Sequence, residues 1–303
     1  MKTIHHSARF NDPNISYRTI ERVEKLPVLR PGFAGPKHLS AEIIRIGDFV
    51  RTDPFFLMMD DRAIGGGPLG GAHPHAGLET VSFVLSGSLS GDGFTLNAGD
   101  VEWMTAGSGI VHGDGFDTPA GFRLLQLWIA LPPQHGKISP YLQLLRQTEM
   151  PVLHESGVTV RLYSGTSGGM VSSTRNIVPV TLADIHLEPG ATFKQQLPVS
   201  YNGFLIILEG DILAGNTGSS IGMEQIGWLD RPKGSGNSVL ELSSTVGARV
   251  ILFSGEPLHQ SLASYGPFIG GSQADILRYS FAYQRGEFPY AKTVLDNLGL
   301  SGD

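Results

Sequence analysis

The sequence predicts an all-β protein made of two tandem barrels or sandwiches, and three observations lead there. Short runs of β-branched, aromatic and leucine residues recur between clusters of Gly, Pro, Asn and Asp. Helical periodicity is confined to a few short stretches, mostly near the C-terminus. A weak internal repeat also aligns Glu79-Thr-Val-Ser-Phe-Val-Leu-Ser-Gly87 with Asn202-Gly-Phe-Leu-Ile-Ile-Leu-Glu-Gly210, 123 positions later.

In chain order, the clearest strands are Glu79–Leu85, Arg123–Ala130, Phe204–Leu208 and Arg249–Phe253. Each is rich in β-branched, aromatic and leucine residues and is bounded by turn-forming residues, as expected of strands. The run Ser139–Arg146 reads as a short connecting helix, with Pro140 tolerated in its first turn. Ser272–Tyr283 reads as a helix with Ser272 as N-cap, and Tyr290–Leu298 adds a further turn or two. Trp103 and Trp228 fall at equivalent places in the repeat, which assigns both to core packing. The run Gly65-Gly-Gly-Pro-Leu-Gly-Gly71 reads as a flexible loop at the mouth of a site. No helix follows it, so it is not a phosphate cradle.

Composition narrows the function. At 303 residues the chain is long enough for two cores. A net charge of -6 gives no basic field for a phosphate backbone, which disfavours direct nucleic-acid binding. The absence of cysteine removes disulfides, thiolate metal sites and cysteine nucleophiles, so any metal must be held by nitrogen and oxygen. The first residues lack the apolar core of a secretory signal, and no apolar run approaches a membrane span. The expectation is a cytoplasmic protein.

The most specific chemistry lies in Gly71-Ala-His73-Pro-His75-Ala-Gly-Leu-Glu79 and in Gly109-Ile-Val-His112-Gly-Asp114. On a strand, His-x-His places both imidazoles on one face, about 6.6 Å apart. A second strand carrying His112 and Asp114 can close a site of three nitrogens and one oxygen. Asp114 is also suited to a turn, between Gly113 and Gly115. Glu79 competes with it for the fourth position, or serves as a base and hydrogen-bond acceptor behind a ligand histidine. The second half lacks this set: under the repeat offset, Gln196, Pro198 and Asn202 replace His73, His75 and Glu79. The remaining histidines, His5, His6, His38, His135, His154, His186 and His259, show no shared pattern.

These motifs, with Gly99-Asp-Val-Glu-Trp-Met-Thr-Ala-Gly-Ser-Gly-Ile-Val-His112, Gly255-Glu-Pro-Leu-His259 and Tyr265-Gly-Pro-Phe268, resemble the pirin family of two-domain cupins. The resemblance implies a bicupin fold, two jelly-roll type barrels at residues 1–145 and 146–303, with one metal site in the first. It implies His73, His75, His112 and Asp114 as ligands, and Fe(II) as the metal, with Mn, Ni, Co, Cu and Zn chemically open to the same donors. It further implies a quercetin 2,3-dioxygenase-like reaction of O2 with a flavonol-like enol, with Glu79 and Asp114 as the acidic groups of catalysis. Other members of the family imply a different role, that of an iron-containing co-regulator of transcription or partner of an enzyme. The chain departs from the family pattern in two ways. His112-Gly-Asp114 stands where His-x-Glu is usual, and Ala76 and Leu78 replace an Arg and a Phe.

Overall fold

The computed structural model describes residues 16–69 and 71–300. Its principal strands are numbered in chain order: β1 (Ile20–Lys25), β2 (His38–Ile44), β3 (Phe55–Pro68), β4 (His73–His75), β5 (Leu78–Ser86), β6 (Val101–Thr105), β7 (Ile110–His112), β8 (Gly115–Ala130), β9 (Tyr141–Leu145), β10 (Val158–Ser164), β11 (Val180–Leu187), β12 (Asn202–Ala214), β13 (Gln225–Leu229) and β14 (Ala248–Gly255). The helices are α1 (Phe49–Thr52), α2 (Gln273–Gln284) and α3 (Ala291–Leu298).

Two large sheets share one topology. The first runs β9-β6-β5-β8-β3-β2, and the second runs β1-β13-β12-β14-β11-β10. The repeat inferred from sequence therefore corresponds to matching central strands, β5 with β12 and β6 with β13. The outermost strands are exchanged along the chain. β1 lies before the first barrel yet pairs with β13 of the second, while β9, which leads into the second barrel, pairs with β6 of the first. The division expected at residue 145 falls at the end of β9, but β1 pairs with the second sheet and residues 267–289 return to the first half.

The two sheets pack face to face through a shared apolar seam. Val81, Phe83, Trp103 and Leu127 of the first barrel meet Tyr163, Phe204, Ile251 and Phe253 of the second. Alternation along each strand then sends the next residues inward. Val84, Met104 and Leu124 line the first barrel, whereas Val160, Ile185, Leu205, Ile207, Leu240 and Leu252 fill the second. The apolar cluster of the second interior is almost wholly aliphatic, and the buried polar groups beside it, Arg18, Ser167, Gln195 and Ser238, are hydrogen-bonded to one another or to the backbone.

The run Ser139–Arg146 is not helical. It forms β9, because β6 presents an open edge and the segment alternates faces: Leu142 enters the first barrel, while Leu145 joins the seam. The Gly65–Gly71 run differs too. Gly65, Gly66, Gly67 and Pro68 end β3 and pair with β8, with positive φ at Gly65 and Gly67. Near the C-terminus the sequence reading matches more closely. The Ser272 side chain accepts a hydrogen bond from the Asp275 amide at the start of α2, and α3 follows at Ala291. No helix among the described residues is long and apolar enough to cross a membrane.

Candidate metal centre

The site is carried by a two-stranded ribbon. β4 pairs antiparallel with β7, with Ile110 opposite His75 and His112 opposite His73. This register brings the three rings together: centroids are 4.5 Å apart for His73–His112, 4.9 Å for His73–His75 and 5.0 Å for His75–His112. One nitrogen from each ring lies within 4.8 Å of the others. Ligands about 2.1 Å from one ion stand at most about 4.2 Å apart, so a small inward movement suffices to share one.

The C-terminal segment clamps this ribbon on both sides. The Ile269 amide donates to the Ala76 carbonyl at 3.0 Å, and the Val111 amide donates to the Pro289 carbonyl at 2.9 Å. Two glycines make that approach possible. A Cβ on Gly77 (φ +75°) would sit 1.8 Å from the Ile269 carbonyl oxygen, and one on Gly109 (φ +137°) would sit 2.1 Å from the Phe288 ring. Ala76 is small for a related reason, since it packs directly against Phe268 in a cluster with Val111, Ile276, Tyr279 and Phe288. The site of the first barrel is thus finished by the last residues of the chain.

Hydrogen bonding defines the donor atoms. His73 Nδ1 lies 2.9 Å from the Gly71 carbonyl, so Nδ1–H donates there and Nε2 is left with its lone pair. His75 and His112 are buried, and neither nitrogen of either ring has a hydrogen-bond partner among the described residues. Such buried imidazole nitrogens, of which His112 Nδ1 has the Asp114 carboxylate 3.5 Å away, are costly unless something else binds them. A sulfur-free set of three imidazoles beside carboxylates fits a divalent transition metal.

The structure places the acidic residues differently from one another. Asp114 Oδ2 lies 3.5 Å from His112 Nδ1, and Asp114 belongs to a second group with His112 and Glu102 rather than to the three-ring group. Its backbone is held by the Leu69 amide, which donates to the Asp114 carbonyl at 2.7 Å, so the end of the glycine-rich strand positions it. Glu79 is turned the other way, into the seam between barrels. Its carboxylate accepts from Thr105 Oγ1 at 2.7 Å, Trp103 Nε1 at 3.2 Å, and the Ile177 and Val178 amides. The reason is strand phase: Glu79 shares its face with Val81 and Phe83, which line the seam.

Glu102, unremarked in the sequence, is the acid that does face inward. It lies between Ser82 of β5 and Leu144 of β9, on the face opposite to that of Trp103. It is 1% exposed, and neither carboxylate oxygen has a hydrogen-bond partner among the described residues. Its sequence signal is an acid in an otherwise apolar strand, out of phase with the seam-facing Val101 and Trp103. Thr80 and Ser82 continue the same inward face, and Trp128 packs edge-on against His75 at 5.0 Å.

The electrostatics follow from this arrangement. Burial, reinforced by the neighbouring rings, holds His75 well below the ordinary imidazole value, and burial also lowers His73. At His112 burial opposes charge, but Asp114, Glu102 and Asp92 outweigh it and push the value up to about 9. Burial and then repulsion from Asp114 push Glu102 up to about 8. Among the described residues, the groups of His, Asp and Glu close enough to share a metal both lie in the first barrel.

Comparison with known proteins agrees with the fold and with both halves of the chain. The pirin family model matches residues 45–129, and the model of the pirin C-terminal cupin domain matches residues 182–289. Pirin-like protein 2 of Arabidopsis thaliana is 34% identical over 282 residues, covering 88% of this chain and 86% of that protein. The crystal structure of GK1651 from Geobacillus kaustophilus is 36% identical, with a TM-score of 0.76 over 82% of this chain and 99% of that one. Quercetin 2,3-dioxygenase from Acinetobacter baumannii shares the fold at 23% identity, with a TM-score of 0.75 over 90% of this chain and 99% of that one. With two cupin barrels, a single histidine cluster in the first and matches across both halves, the chain belongs to the pirin family.

Proposed function

We propose that this protein is a metal-dependent oxygenase of quercetinase type, acting with O2 on a planar, flavonol-like enol. The observation that carries the reading is the group of three buried or half-buried histidines whose nitrogens converge, among the described residues, in the first barrel alone. His73, His75 and His112 would hold the ion, with Asp114 as the adjoining carboxylate, and Fe(II) is the metal we assign. A bound Fe(II) would supply the redox chemistry that lets O2 react with an enol.

The protein's own residues supply binding and exclusion of water. Trp128 and Met104 give the inner wall flat and apolar surface, while Thr80 and Ser82 offer hydroxyls without partners among the described residues. The carboxylates available to take a hydroxyl proton are those of Asp114 and Glu102. Glu79, engaged in the seam, is not placed for that work. The fold shared with a protein named quercetin 2,3-dioxygenase is compatible with the reading.

The test is oxygen uptake by protein loaded anaerobically with Fe(II) and mixed with a flavonol. Uptake with release of carbon monoxide, lost in His75→Ala, is the expected result. Iron retained without uptake across a panel of planar enols and flavonols would refute the oxygenase reading.

A further inference from the structure

We propose that Glu102 supplies a carboxylate oxygen to the metal centre of the first barrel, facing His112 together with Asp114. The inference rests on the reading that the three rings hold a divalent ion, and adds a ligand from a different structural element.

Three observations converge on Glu102. Its carboxylate, with a nitrogen of His112 and an oxygen of Asp114, forms a group whose atoms lie within 4.8 Å of one another. Both of its oxygens are buried without a hydrogen-bond partner among the described residues, although such groups are normally satisfied. It also projects from β6, which is paired on both sides and has little freedom to move. Both acids join the three rings through His112 alone, but Asp114 follows a short ribbon whereas Glu102 stands on the paired wall.

Side-chain length and charge favour the same assignment. Asp114 has one methylene fewer than a glutamate at its position would have, so its oxygen reaches less far toward the rings. Glu102 has the longer arm and lies on the fixed wall. Three neutral imidazoles around a divalent ion leave two positive charges in a low-dielectric interior. Two carboxylates neutralise them, whereas one leaves a net charge buried. A purely structural role fits less well, because Glu102 faces the Ser82 hydroxyl across the strand pair without a formed hydrogen bond, whereas Glu79 in the seam accepts from side chains and backbone amides.

The test is titration of metal-stripped protein with Co(II), followed by its visible absorption. Wild type should take up one equivalent. Glu102→Gln should bind at least about 10- to 100-fold more weakly, the loss already seen when a group that only supports a ligand is removed, and with an altered band. Glu79→Gln, altered in the seam, should match wild type in both. Should Glu102→Gln fail to fold by circular dichroism, Glu102→Asp takes its place, with its oxygen withdrawn by one methylene and the same direction of change. Wild-type affinity and band in a folded Glu102 variant, with loss confined to Asp114→Asn, would overturn the proposal while leaving the metal site intact. No Co(II) uptake by wild type would instead overturn the underlying metal reading.

Discussion

Glu79 and Asn202 occupy the same position in the two barrels, and each receives a segment from the other barrel. Glu79 accepts hydrogen bonds from the Ile177 and Val178 amides, just ahead of β11. The Asn202 side-chain amide donates to the Asp53 carbonyl, just ahead of β3. The strand entries of the two halves thus cross the seam reciprocally. An acceptor serves where backbone N–H groups arrive, and a donor where a carbonyl arrives. This pairing explains why a conspicuous glutamate four residues after His75 serves the joint between the barrels.

Replacing Glu79 by Gln should therefore weaken the fold and spare the metal centre. The amide NH2 would confront donors, at a cost of about 1–3 kcal/mol for buried groups left unpaired. Urea denaturation measures the loss, and metal content per chain should be unchanged.

The same residue should leave a pH signature. Burial raises the Glu79 carboxyl above its usual range, despite the donors around it. The folded state then keeps a proton that the unfolded chain has already released. Its contribution to stability is full below the ordinary glutamate value and declines as pH rises through the higher folded value. The difference in unfolding free energy between wild type and Glu79→Gln should shift in that direction across the window. Parallel curves would show that Glu79 does not titrate abnormally.

Gly77→Ala should damage the metal site from a distance. The positive φ alone costs a non-glycine residue about 1–2 kcal/mol, and the added Cβ would collide with the Ile269 carbonyl. Displacing residues 267–269 frees one side of the β4–β7 ribbon. Reduced metal affinity together with a lower melting temperature is expected. A stability loss with unchanged affinity would mean that the ribbon holds its geometry without the C-terminal clamp.

Glu102→Leu should stabilise the metal-free protein. It removes a buried, unpartnered carboxyl from an otherwise apolar strand, a change worth about 1–3 kcal/mol when polar atoms lack partners. Thermal melting of stripped protein measures it, and a lower melting point would show that Glu102 contributes to the apo fold.

Much of this architecture could be read directly from the residues. The repeat of Glu79–Gly87 at Asn202–Gly210 anticipated two related sheets, and the His73, His75 and His112 spacing anticipated rings that meet. The misreadings share one cause, that long-range pairing decides what local pattern leaves open. Ser139–Arg146 carries a helix-compatible pattern, yet the free edge of β6 turns it into a strand. Glu79 lies close to His75 in sequence, but strand phase turns its carboxylate toward the other barrel. Glu102 lacks a neighbouring ligand motif and becomes visible only when β6 is laid beside β5. The exchange of β1 and β9, and the return of the C-terminus to the first barrel, depend on contacts between distant parts of the chain that no short motif marks.

The most direct test of the account is elemental analysis of protein purified without a histidine tag or added metal, alongside His112→Ala. One divalent ion per chain in wild type and none in the folded variant is the predicted result. Equal metal in both proteins, or a second ion that survives loss of His112, would contradict a single centre built on the β4–β7 ribbon.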